Sequence, residues 1–137
     1  MKIVWKHNPL SIHPDSRLAH LASMAANEQG KFWDYHDKLF AGAPACKLKR
    51  EFLIQYATEL GLNMKKFTDA MDAAKFKSAI DADQAEATAL GATGTPAFFV
   101  NGKYLSGAKP FDEFAKAINA ELTRLKIPIP EGAATKS

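Results

Sequence analysis

One cysteine, Cys46, and four histidines, His7, His13, His20 and His36, are the residues of this 137-residue chain most able to do chemistry. Disulfide exchange needs a thiolate of lowered pKa and a second thiol to resolve the mixed disulfide, so a lone cysteine cannot complete it. Cys46 stands between "GAPA" and "KLKREF". A helix start and Lys47 could lower its pKa, but with no second cysteine near it the residue reads as an incidental loop or cap position. His13 and His20 could share a helix face if that helix began early, and His36 lies among aromatics. No carboxylate or cysteine completes a metal-ligand spacing with them, so neither a metal site nor a cofactor is expected. His36 is read as a packed or hydrogen-bonded structural histidine and the others as surface residues.

The most informative stretch carries no nucleophile. "GTPAFFVNGKYLSGAKP", Gly94 to Pro110, begins as a loop at Thr95-Pro96, and Phe98 and Val100 then alternate with Phe99. Asn101-Gly102 follows, a dipeptide suited to the two positive φ angles of a tight hairpin turn. A second strand leads to Pro110, which opens a last helix where its missing N–H does no harm. The stripe expected to be buried on that helix is Phe111, Phe114, Ile118, Leu122 and Leu125.

The remaining elements follow from apolar spacing. Lys2 to Lys6 puts Ile3 and Trp5 on one face and Val4 on the other, as a short strand covered on both sides would. Asp15 to Glu28 has a stripe of small residues at helical spacing, ended by Gly30. "KFWDYHDKLF" gives a short helix whose aromatic face, Phe32, Trp33 and Tyr35 with Leu39 and Phe40, is assigned to the core. Lys47 to Leu60 is a third helix closed by Gly61, and Asn63 caps a fourth carrying Met64, Phe67 and Met71 inward. Phe76 to Leu90 is a fifth, with Ile80, Ala87 and Leu90 inward. The last segment, 126–137, has no core-forming pattern.

The bulk figures narrow the classes. The chain is 47% hydrophobic and 24% charged, as an ordinary globular domain is. Its net charge of +3 comes from eighteen basic residues interspersed with fifteen acidic ones, which argues against a nucleic-acid partner. No apolar run approaches the roughly 20 residues of a membrane span, and the start lacks an export-signal pattern, so the compartment stays unknown.

"NPLSIHPDSRLAHLASMAANEQGKFWDYHDKLF", followed by "LGATGTPAFFVNGKYLSGAKPFDEF", closely resembles the DsbA-like thioredoxin-fold thiol–disulfide oxidoreductases, from the first strand to about Leu122. The resemblance implies an α/β thioredoxin-like domain over 1–125, with a helical insertion at about 14–90. It makes Lys2 to Lys6 the second core strand and Thr95-Pro96 the cis-proline loop that faces the cysteine pair and binds extended, cysteine-containing polypeptides. The family is often exported. Its first strand, first helix and Cys-x-x-Cys have no counterpart in this chain, so no catalytic residue is identifiable.

In the family's sheet the absent strand lies between the second strand and the hairpin. Buried backbone groups left unpaired cost roughly 1–3 kcal/mol each, against a net domain stability of about 5–15 kcal/mol. Two repairs are therefore expected: direct antiparallel pairing of Ile3–Trp5 with Phe98–Val100, or a homodimer that completes the sheet. The functional expectation is an oxidoreductase-family domain, redox-inactive in this chain. The alternatives are a non-catalytic peptide-binding or dimerisation module and, less well supported by the short insertion, a relative of the kappa-class glutathione transferases.

Overall fold

The computed structural model describes residues 1–45 and 47–130. Cys46 and the last seven residues of the expected tail lie outside the described residues. The chain divides into two compact units, Met1–Ala89 and Leu90–Ser137.

The first unit is helical: α1 (Ser16–Asn27), α2 (Phe32–Gly42), a single 3-10 turn (Ala43–Ala45), α3 (Arg50–Glu59), α4 (Met64–Asp72) and α5 (Lys77–Ala89). Its centre is the small-residue stripe of α1. Ala19, Ala22, Ala25 and Ala26 are buried, and because alanine projects so little, α2, α3, α4 and α5 all pack against this one helix. Around the stripe sit Tyr35 from α2, Leu53 and Tyr56 from α3, and Phe67 from α4. Complete burial of a side chain such as Leu53 or Phe67 contributes about 1.5–3 kcal/mol.

Polar atoms in this core are matched. The Tyr35 hydroxyl donates to the Leu53 carbonyl at 2.9 Å, and the Tyr56 hydroxyl donates to the Lys47 carbonyl at 3.1 Å. Asn63 caps α4 as its sequence position predicts, its Oδ1 accepting from the Lys66 backbone N–H at 3.0 Å. Gln29 ties that cap to the end of α1, its Oε1 accepting from the Asn63 N–H at 2.8 Å and its Nε2 donating to the Asn63 carbonyl at 3.3 Å.

The second unit is the hairpin and the last helix: β1 (Ala97–Val100), β2 (Lys103–Ser106) and α6 (Phe111–Arg124). The strands pair antiparallel, Ala97 with Ser106 through Val100 with Lys103. Asn101 and Gly102 make the turn with φ of +47° and +85°, a conformation that asparagine tolerates and glycine adopts without cost.

Several expectations are corrected. Lys2–Lys6 is not a strand, and Ile3 is 69% exposed. A strand exists through its ladder, and among the described residues the one sheet is two-stranded, β1 with β2. The third helix starts at Arg50 rather than Lys47, because Lys49 is extended. Pro110 is the cap of α6, likewise extended, and the helix proper starts at Phe111. Phe111, Leu125 and Leu90 are exposed rather than buried. Leu90 lies beyond the end of α5, Phe111 is the first residue of α6 and Leu125 is its C-terminal cap.

Candidate functional site

Thr95 and Pro96 enter β1 from an exposed loop, and the peptide bond between them is cis. The Pro96 carbonyl accepts from the Gly107 N–H at 2.9 Å, extending the hairpin ladder one step beyond Ala97–Ser106 and fixing the loop to the strand that follows it. On one side of the hairpin the Phe98 ring meets Phe114 of α6 edge-on at 4.7 Å, and on the other Phe99 stacks on Tyr104 at 5.0 Å. The loop therefore rests on a hairpin braced by aromatic contacts.

Electrostatics brace the opposite end. Glu121 of α6 is almost completely buried and gathers Lys103 at 2.9 Å, Arg124 at 2.9 Å and the Asn101 amide at 3.3 Å. Hydrogen bonds from Arg124, Lys103 and Asn101, in that order of weight, hold its carboxyl down at about 2. The turn residue, the first residue of β2 and the end of α6 thus share one anion.

In chemical terms the loop offers backbone donors and acceptors and the hydroxyls of Thr93 and Thr95, and it holds no thiol, imidazole or carboxylate. Thr95 and Pro96 are both exposed and so accessible to an extended chain. The one thiol, Cys46, lies outside the described residues. Among the described residues no group of three or more histidines, cysteines, aspartates or glutamates is placed to hold a metal ion.

The histidines are arranged differently from the expectation. His13 is exposed, but His7 is only 4% exposed and lies against His20, Nδ1 to Nδ1 at 2.8 Å. Nothing in their spacing signals that contact, because His7 sits outside any helix. His36 is half-buried as a packed residue, with Nδ1 3.0 Å from an Asp37 carboxylate oxygen and its ring among Trp5, Phe32, Trp33 and Phe40. That aromatic group is not core. Tyr35 is fully buried, yet Trp33 is 50% and Phe40 61% exposed. One eleven-residue helix buries a single stripe, here Tyr35 and Leu39, and its remaining aromatics stack on Trp5 and on one another. Glu121 was also legible in principle: it falls seven residues after Phe114, an acid on an apolar stripe.

A family model described as the DSBA-like thioredoxin domain matches residues 1–119. The Na(+)/H(+) antiporter NhaA of Herminiimonas arsenicoxydans is 41% identical over 108 residues, 79% of this chain and 17% of that protein. NhaA 3 of Salinispora tropica is 32% identical over 133 residues, 96% of this chain and 20% of that protein, and NhaA 1 of Salinispora arenicola is 33% identical over 131 residues, 92% and 20%. The chain spans a fifth or less of the length of these curated relatives. Among the described residues no helix is long and apolar enough to cross a membrane. The likeness therefore concerns one segment of each relative, and over nearly its whole length this chain belongs to the DSBA-like thioredoxin domain family.

Proposed function

We propose that this chain is part of a thiol–disulfide oxidoreductase domain, that Thr95 and Pro96 form its wall toward an extended, cysteine-containing polypeptide, and that the chain by itself is silent in thiol exchange. The observation that carries the reading is the family match over 1–119 combined with a single cysteine in the whole sequence. An extended peptide binds such a wall through main-chain hydrogen bonds, which the exposed loop and the outer edge that the two-stranded sheet keeps among the described residues are able to make. Redox turnover needs two thiols, and they would have to come from another segment.

A second reading is favoured by the same two-stranded sheet. Both strands keep an outer edge, so the domain would serve as a non-catalytic peptide-binding module, or a second copy would complete the sheet as a homodimer. A kappa-class glutathione transferase relative is the weakest reading, and absence of glutathione binding would dispose of it.

Titration of the chain with an extended peptide containing one alkylated cysteine, followed through the backbone amides of 94–100, tests the wall. Concentration-dependent shifts confined to these amides and lost in Pro96→Ala are expected. Unmoved amides there, or shifts that persist in Pro96→Ala, would remove Thr95 and Pro96 from the binding surface. An in-frame Cys-x-x-Cys upstream in the coding sequence separates the first reading from the second.

A further inference from the structure

His7 and His20 meet across elements. His7 belongs to the segment that precedes α1, His20 to the second turn of α1, and their rings stand edge to face with centroids 5.0 Å apart. With Nδ1 atoms at 2.8 Å, one ring must donate its N–H while the other accepts. The contact is compatible with a neutral pair and with one shared extra proton. Protonation of both rings places two N–H donors and two like charges head to head, and the contact cannot survive it.

The surroundings leave little to offset the second charge. From α1, Arg17 adds a positive charge near His20, although Asp81 of α5 pairs with it. From α5, Asp83 is the one carboxylate that faces His7. It is already engaged, with Oδ2 accepting from the His7 backbone N–H at 3.0 Å and Oδ1 from Lys6 Nζ at 3.0 Å, while Glu86 takes the same lysine at 2.9 Å. From α2, the Phe32 ring faces His7. The segment itself rides on this junction: Gln84 Nε2 donates to the Pro9 carbonyl at 2.6 Å, and Trp5 lies on the aromatics of α2.

We propose that the His7–His20 contact is an acid-sensitive latch that seats the segment Met1–Pro9 on α1, α2 and α5 and releases it when both imidazoles are protonated. Burial, acting first, holds both histidines below the ordinary 6.5; His7 and Arg17 help bring His20 down to about 4, whereas Asp83 partly opposes the shift at His7. Because the folded values are depressed, the latch is at full strength above pH 6.5 and is lost as the pH falls toward about 4.

Trp5 reports the seat, and Trp33→Phe makes its fluorescence the only tryptophan signal. In that background Trp5 emission should move to the red between pH 6.5 and 4 while the far-ultraviolet circular dichroism of the helices stays constant. His7→Asn combined with His20→Gln keeps polar groups that do not titrate, and it should move the transition down by about one pH unit or more, or remove it. An unchanged midpoint in that variant would assign the transition to groups other than the two histidines and overturn the latch. So would helix loss coincident with the red shift. Should the double variant not fold, the imidazole proton resonances of the native pair decide: Trp5 moving with the second of the two titrations supports the latch, and Trp5 unmoved after both imidazoles have titrated overturns it.

Discussion

A carboxylate occupies the buried stripe of α6 where the spacing from Phe114 and Ile118 would suit an aliphatic side chain. Glu121 is tolerated there because Lys103, Arg124 and Asn101 enclose it, so the charge is paired and hydrogen-bonded rather than stranded. It joins the turn of the hairpin to the end of α6, and hence helps hold the hairpin on which Thr95 and Pro96 stand. Its folded pKa of about 2 lies below the ordinary 4.5, so the carboxylate contributes its full stabilisation above pH 4.5 and loses it as the pH falls toward 2. Glu121→Gln should lower the urea midpoint at pH 7 and flatten its fall between pH 4.5 and 2. Equal slopes for native and variant chains in that window would show that Glu121 is not the linked group.

At the scale of elements, the C-terminal end of α2 meets α3 through an absence. Gly42 is buried, and a Cβ there would run into the Tyr56 hydroxyl and lie 3.3 Å from the Lys47 carbonyl that this hydroxyl holds. Gly42→Ala should therefore destabilise the helical unit by about 1–3 kcal/mol, and Tyr56→Phe in the same chain should restore part of the loss, read as urea midpoints. Additive losses in the double variant would show that the two positions do not touch. Elements whose signal is local were legible in the sequence: the Asn101-Gly102 hairpin, the Asn63 cap and the alanine stripe of α1 rest on propensities within a few residues. Lys2–Lys6 was misread because alternation shows only that a segment could be a strand, whereas its state depends on a partner elsewhere. The core assignment of Trp33 and Phe40 rests on a helical face drawn too wide around Tyr35 and Leu39, and that of Leu90 on a period extended one residue past the helix end. His7–His20 was invisible for the opposite reason, since a contact between a coil residue and a helix residue leaves no period to find.

At the scale of the whole molecule, residues 1–119 match the DSBA-like thioredoxin domain, while the sequence holds one thiol. A fold family supplies a scaffold, and activity resides in the groups mounted on it. The proposed wall rests on a contiguous motif, Gly94 to Pro110, and the sequence holds no second thiol to place opposite it. Insulin reduction driven by a small dithiol, with the native chain compared against Cys46→Ala at equal concentration, tests the central claim most directly. Both should match the rate without protein; turnover by the native chain that is lost in Cys46→Ala would give Cys46 a catalytic role and contradict the account.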